Sequence, residues 1–182
     1  RVAGLDGLRV IAILGIVLYH ANPTWLPGGF FGVTVFLVVS GYLFTLSIQR
    51  EVARTGSVAY GHLMFKRAAR LWPTMLAVVG ATIILTALFS PYLLPKVRSN
   101  AVPALLFFEN IFYIVRKVSY FAAAGAPSPL THFWYLGVLM QFYIVWPPVV
   151  LLLSRIVSSR RHACYAVCAL ILISSAVTWA LF

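Results

Sequence analysis

Five apolar runs, at about 8–21, 30–48, 73–89, 132–153 and 163–182, dominate the chain. A bilayer core about 30 Å thick takes about 20 apolar residues rising 1.5 Å each to cross as a helix. The first run is slightly short, which places its ends in the headgroup region or in a thinned, protein-filled part of the bilayer. The chain therefore reads as all-α: a multi-pass transmembrane helical bundle of about five spans, with short interfacial or re-entrant helices between them. Composition agrees, with 62% hydrophobic and only 9% charged residues and a mean hydropathy of +0.96, against about 25% charged in a soluble domain.

The formal net charge of +11 sits in short clusters between the apolar runs, which is the signature of the positive-inside rule rather than of a nucleic-acid partner. With the amino terminus in the cytoplasm of a cell-membrane protein, Arg1, Arg9, Arg50, Arg54, Lys66, Arg67, Arg70, Arg155, Arg160 and Arg161 fall on or near the inner side. Only Lys96, Arg98, Arg116 and Lys117 fall outside. Cys164 and Cys168 share one face of the last run and lack the further ligands a metal would need, so no metal site is expected. The sequence begins at Arg1 without a methionine and stops at Phe182 inside an apolar run, which suggests a fragment of a longer protein, a partial membrane domain over 1–182.

Between the runs, 60–71 reads as an interfacial basic helix, with the third span starting at Pro73. The segment 104–115, apolar but too short to cross, reads as a re-entrant or interfacial helix. The stretch 122–129 reads as a loop, and Pro147 and Pro148 predict a kink in the fourth span.

Polar residues inside such runs are the candidates for chemistry. The first span holds one arginine near its start, Arg9, and one histidine near its end, His20. Eleven residues at 100° each bring both to one face, about 16 Å apart along the axis. Ionisable residues in lipid usually face a bundle interior or a water-filled cavity. An imidazole with an ordinary pKa of about 6.5 suits a general base; a hydrogen bond to a neighbouring carbonyl, or a capping role beside Asn22, is the structural alternative. Arg67 and Arg70 share a helical face, forming either a clamp for phosphates or a topological anchor that binds membrane lipid headgroups. Ser40 and Tyr42 end a glycine-rich stretch that suits close helix packing, and both are candidates to line a cavity. In the fourth span Trp134 and Tyr135 fit an interfacial aromatic belt, with Trp134 also a candidate cavity wall, whereas Gln141 needs a hydrogen-bond partner at depth.

Four blocks together resemble the acyltransferase-3 family of integral membrane acyltransferases: LDGLR…LYH at 5–20, GGFFGVTVFLVVSGYL at 28–43, FKRAARLWP at 65–73 and PSPLTHFWYLGVLMQFYIVWP at 127–147. The resemblance implies acetyl-CoA or another acyl-CoA as cytoplasmic donor and a glycan hydroxyl on the far side as acceptor. It assigns His20 to acyl transfer and Arg9, Arg67 and Arg70 to holding the donor, with general-base and covalent acyl-histidine routes both open. The stretch SYFAAAGAPSPLTHFWYL at 119–136 looks most like peptidoglycan O-acetyltransferases. Two departures stand out: Leu139 and Met140 precede Gln141 where many relatives carry acids, and Thr34 replaces an aspartate. The family's membrane domain is typically longer, with further spans and often an extracytoplasmic esterase-like domain. A proton or solute transporter and a noncatalytic membrane scaffold are the rival classes, and a transporter differs from an acyltransferase in consuming no thioester.

Overall fold

Helix forms along every apolar run in the computed structural model, which describes residues 3–117, 128–156 and 159–181. Among the described residues there are seven α-helices: α1 Ala3–Ala21, α2 Gly32–Thr55, α3 Tyr60–Phe89, α4 Leu94–Leu105, α5 Glu109–Val115, α6 Trp134–Ile156 and α7 Arg160–Leu181. Single 3-10 turns lie at Pro27–Phe31, Pro91–Leu93 and Thr131–Phe133, and no strand occurs among the described residues. Five segments are long and apolar enough to cross a membrane: Gly4–Ala21, Pro27–Thr55, Tyr60–Phe89, Thr131–Ile156 and Arg161–Ala180. Arg1, most of the expected loop at 122–129, and the first half of the stretch 119–136 lie outside the described residues.

Two elements differ from their sequence reading. The interfacial helix and the third span are one unbroken α3, with Pro73 in its interior. Proline already holds a helical φ, and its cost there is the missing donor to the Ala69 carbonyl. Trp72 beside it is tied down, its Nε1 donating to the Leu105 carbonyl at 2.9 Å and its ring stacking on Phe107 at 6.3 Å. The second difference is the segment 104–115, which is not one helix. The chain turns between α4 and α5 at Phe107, whose φ of 60° no right-handed helix accommodates. In the fourth span, α6 runs through Pro147 and Pro148 as one helix.

The chain divides into two units, Arg1–Ile144 and Val145–Phe182. In the first, α1 packs on the turn at Pro27–Phe31 and on α2. The approach is close enough to require glycine. A Cβ on Gly32 would stand 2.5 Å from the Ala12 carbonyl oxygen, and one on Gly29 would overlap the Gly15 backbone. Small residues thus bring these backbones together in the way membrane helices favour. On the other side α3 packs against α4, and Val79, Val97 and Leu130 form a core covered by Ile83, Ala101, Leu105 and Phe133. In the second unit, no residue of the crossing segment of α7 is fully buried, and Cys164 and Cys168 are exposed free thiols.

Candidate functional site

His20 stands in the last turn of α1, exposed, with Nδ1 2.8 Å from the Ile16 carbonyl oxygen. A carbonyl only accepts, so Nδ1 carries a proton, and in a neutral ring the lone pair then lies on Nε2. One ring nitrogen is thus tied to the helix, which is the hydrogen bond to a neighbouring carbonyl that the structural alternative expects. The ring meets His132 at 4.5 Å between centroids and 89° between planes. Tyr19 flanks it at 5.4 Å, also edge-on.

The other end of the same helix holds Arg9, partly buried and 3.7 Å from Asp6 one turn earlier. Its Nε is buried without a hydrogen-bond partner among the described residues. Arg9 belongs to a set that converges on Tyr143, a buried residue of α6. Tyr143 hydrogen-bonds Ser40 of α2 and lies in the field of Arg67, Arg9 and Arg70. The Arg67 guanidinium stands 4.9 Å above the Phe44 ring and 5.3 Å from that of Tyr143, a stacking that suits a planar cation held in an apolar setting. Since His20 meets His132 and Arg9 lies near Tyr143, α1 and the first half of α6 run antiparallel.

Beside Arg67 opens a cleft of about 730 Å³ between the end of α2 and the start of α3. Arg50, Arg54, Lys66, Arg67 and Arg70 line it with His62, and Glu51 is the one acid in its wall. Glu51 also serves the backbone, accepting the Ala59 N–H at 2.9 Å. Such a concentration of cations suits a ligand with several phosphates.

A separate polar cluster joins α4 and α5, outside the crossing segments. Glu109 is fully buried; its Oε1 accepts from the Asn100 amide at 3.0 Å and from the Tyr113 hydroxyl at 2.9 Å, and its Oε2 has no hydrogen-bond partner among the described residues. Burial pushes the carboxyl up to about 7, against the lowering effect of the Tyr113 and Asn100 hydrogen bonds. Burial also raises the Tyr113 hydroxyl, with the neighbouring Glu109 charge adding to it. Gln141 finds the partner its depth demands in Asn110 of α5. The two amides exchange hydrogen bonds at 3.1 Å each way, and Gly137 makes room for them, since a Cβ there would overlap Asn110 Oδ1.

The structure thus brings Arg9, Ser40, Arg67 and Arg70 together around Tyr143 and sets His20 apart at the opposite end of α1. Gln141 joins α5 instead. Trp134 is half-buried in the first turn of α6, and Tyr42 of α2 is 52% exposed. His132 and Tyr143 carry no role in the sequence reading. A signal was present: they too are eleven residues apart, the same step as Arg9 to His20.

A family model described as an acyltransferase domain matches residues 2–181. Peptidoglycan O-acetyltransferase OatA of Listeria monocytogenes is 33% identical over 160 residues, 88% of this chain and 26% of the relative. O-acetyltransferase OatA of Staphylococcus aureus is 39% identical over 147 residues, 81% of this chain and 24% of the relative. YrhL of Bacillus subtilis is 37% identical over 176 residues, 97% of this chain and 28% of the relative. The chain spans about a quarter of the length of these relatives. No solved structure matches it.

Proposed function

The chain belongs to the acyltransferase-3 family, and on that premise we propose that it is part of a membrane O-acyltransferase moving acetyl from cytoplasmic acetyl-CoA to a hydroxyl of an envelope glycan, with peptidoglycan the favoured acceptor. The OatA relatives are named for O-acetyl transfer, the Listeria protein for peptidoglycan. The observation that carries the reading is the Nε2 of His20, uncommitted among the described residues at an exposed helix end, with a cation-lined cleft toward the other end of the same helix.

In this reading Arg67, Arg70 and their neighbours hold the phosphates of the donor, and Arg9 extends the positive field along α1. The flexible pantetheine arm of the donor lets its thioester reach from the cleft toward His20. The imidazole Nε2 takes the proton from the acceptor hydroxyl as its oxygen bonds to the thioester carbonyl carbon. The tetrahedral oxyanion then collapses, the C–S bond breaks, and the imidazolium returns its proton to the departing thiolate. In the covalent route Nε2 itself attacks the carbonyl carbon and the C–S bond breaks to release the thiolate; the acceptor hydroxyl oxygen then bonds to the acyl carbon, the C–Nε2 bond breaks to return the neutral imidazole, and the hydroxyl proton passes to the thiolate.

The test is the yield of base-labile O-acetyl groups on envelope glycans of cells making the wild type or His20→Ala at equal membrane level. Loss of at least about 100-fold in the variant is expected of a general base or nucleophile. Equal yields would refute the assignment of His20, and consumption of no acetyl-CoA by the wild type would refute the enzyme.

A further inference from the structure

We propose that His132 is a positioning residue of the transfer centre, fixing the imidazole of His20 for the reaction; this rests on the reading of His20 given above. His20 lies at a helix end and is exposed, so its ring needs outside contacts to hold one orientation. One is the Nδ1 hydrogen bond to Ile16, which sets the tautomer but leaves the ring free to swing about that bond. The perpendicular contact with His132 at 4.5 Å supplies the missing restraint.

The geometry of His132 is imposed by its surroundings rather than by its own burial. It sits in the 3-10 turn Thr131–Phe133, whose Phe133 N–H donates to the Leu130 carbonyl at 2.9 Å. Leu130 before the turn is fully buried, and Phe133 packs on the same core. These two apolar residues anchor the turn and hold the exposed imidazole between them out toward α1. A polar ring displayed by a rigid turn, against the one histidine of α1, is an arrangement that core packing does not require.

An aromatic wall does two things for His20. It limits the swing of the ring, so that Nε2 stays aimed at one place, and a misplacement of about 1 Å in such a group costs about 100-fold in rate. It also offers a π system to the imidazolium formed when Nε2 takes a proton. Both services ask for a neutral aromatic ring, and neither asks for a second base. Phenylalanine should therefore replace His132, whereas alanine and lysine should not.

The experiment uses the protein at its full natural length, purified in detergent, with acetyl-CoA and a soluble N-acetylglucosamine oligomer. Thiol release is measured in wild type, His132→Ala, His132→Phe, His132→Lys and His20→Ala. His132→Ala is expected to lower kcat by about 10- to 100-fold with the KM for acetyl-CoA unchanged, because the donor cleft is toward the other end of α1. His132→Phe is expected to recover most of that loss, which also shows that the position tolerates change without unfolding. His132→Lys is expected to be at least as poor as alanine, and His132→Ala is expected to add nothing in a His20→Ala background. Wild-type kcat in His132→Ala, or His132→Phe as poor as alanine, would overturn the inference while His20→Ala remains inactive. Full activity in His20→Ala would instead overturn the reading of His20, and the role of His132 with it.

Discussion

Replacing Glu109 with glutamine isolates a pH-dependent contribution to stability that the structure locates in one side chain. The carboxyl is fully buried, accepts two hydrogen bonds on Oε1, and has no hydrogen-bond partner at Oε2 among the described residues. Burial raises it from an ordinary 4.5 to about 7. The folded form therefore binds the proton more tightly than the unfolded chain. Stability from this group is complete below pH 4.5 and is lost as pH rises through 7. At about 1.4 kcal/mol per pH unit the loss between those limits is about 3 kcal/mol, or about 6–12 °C in Tm for a protein of this size. Glutamine keeps the acceptor for Asn100 and Tyr113 and cannot ionise. Thermal melts followed by tryptophan fluorescence in detergent, from about pH 4.5 to 8, should show the two proteins close together at the acid end. The variant should gain progressively as pH rises and level off at its full advantage above about pH 7. Every other titrating group is common to both proteins and cancels, so the difference curve reports Glu109. Parallel melting curves across the whole range would refute the reasoning, since a carboxyl that ionises without cost is not buried as Glu109 is here.

Two further perturbations test the donor cleft and the packing. Arg67→Lys keeps the charge but loses the planar stacking on Phe44 and Tyr143; it should raise the KM for acetyl-CoA by about 5- to 30-fold, the equivalent of about 1–2 kcal/mol, and an unchanged KM in a steady-state assay would remove Arg67 from donor binding. Gly32→Ala forces a Cβ against the Ala12 carbonyl and should cost about 1–3 kcal/mol, seen as a lower melting temperature, whereas Gly61→Ala in α3 meets nothing within 4 Å and should leave it nearly unchanged.

How much of this is readable in one dimension follows from the range of each interaction. Span lengths depend on consecutive residues and a bilayer thickness, so α1, α2, α6 and α7 fall where the apolar runs put them. Proline and short apolar stretches are weaker guides, because neighbours decide them. Trp72 docks on the Leu105 carbonyl and on Phe107 beside the uninterrupted Pro73 turn, and a left-handed residue at Phe107 divides a stretch that composition reads as one helix. The Arg67 and Arg70 face is visible from a three-residue step, but the cleft it borders needs the end of α2, which contributes Arg50 and Arg54 from across a connection.

Partners across helices are the least readable part, and the reason is geometric. A helix face can be computed from spacing, but what it faces depends on the order and direction in which helices pack. Gln141 needs a partner because of its depth, yet Asn110 lies 31 residues away on α5. His132 and Tyr143 give no signal when each is weighed singly. Taken as a pair, their spacing equals that of Arg9 and His20, and two helices carrying equal steps can match both ends in an antiparallel register. That condition is met here, His20 against His132 and Arg9 near Tyr143. Equal spacing of polar residues on two apolar spans is thus worth weighing as a pair: in lipid an unpaired polar side chain is costly, and one antiparallel register brings His20 to His132 and Arg9 into the neighbourhood of Tyr143.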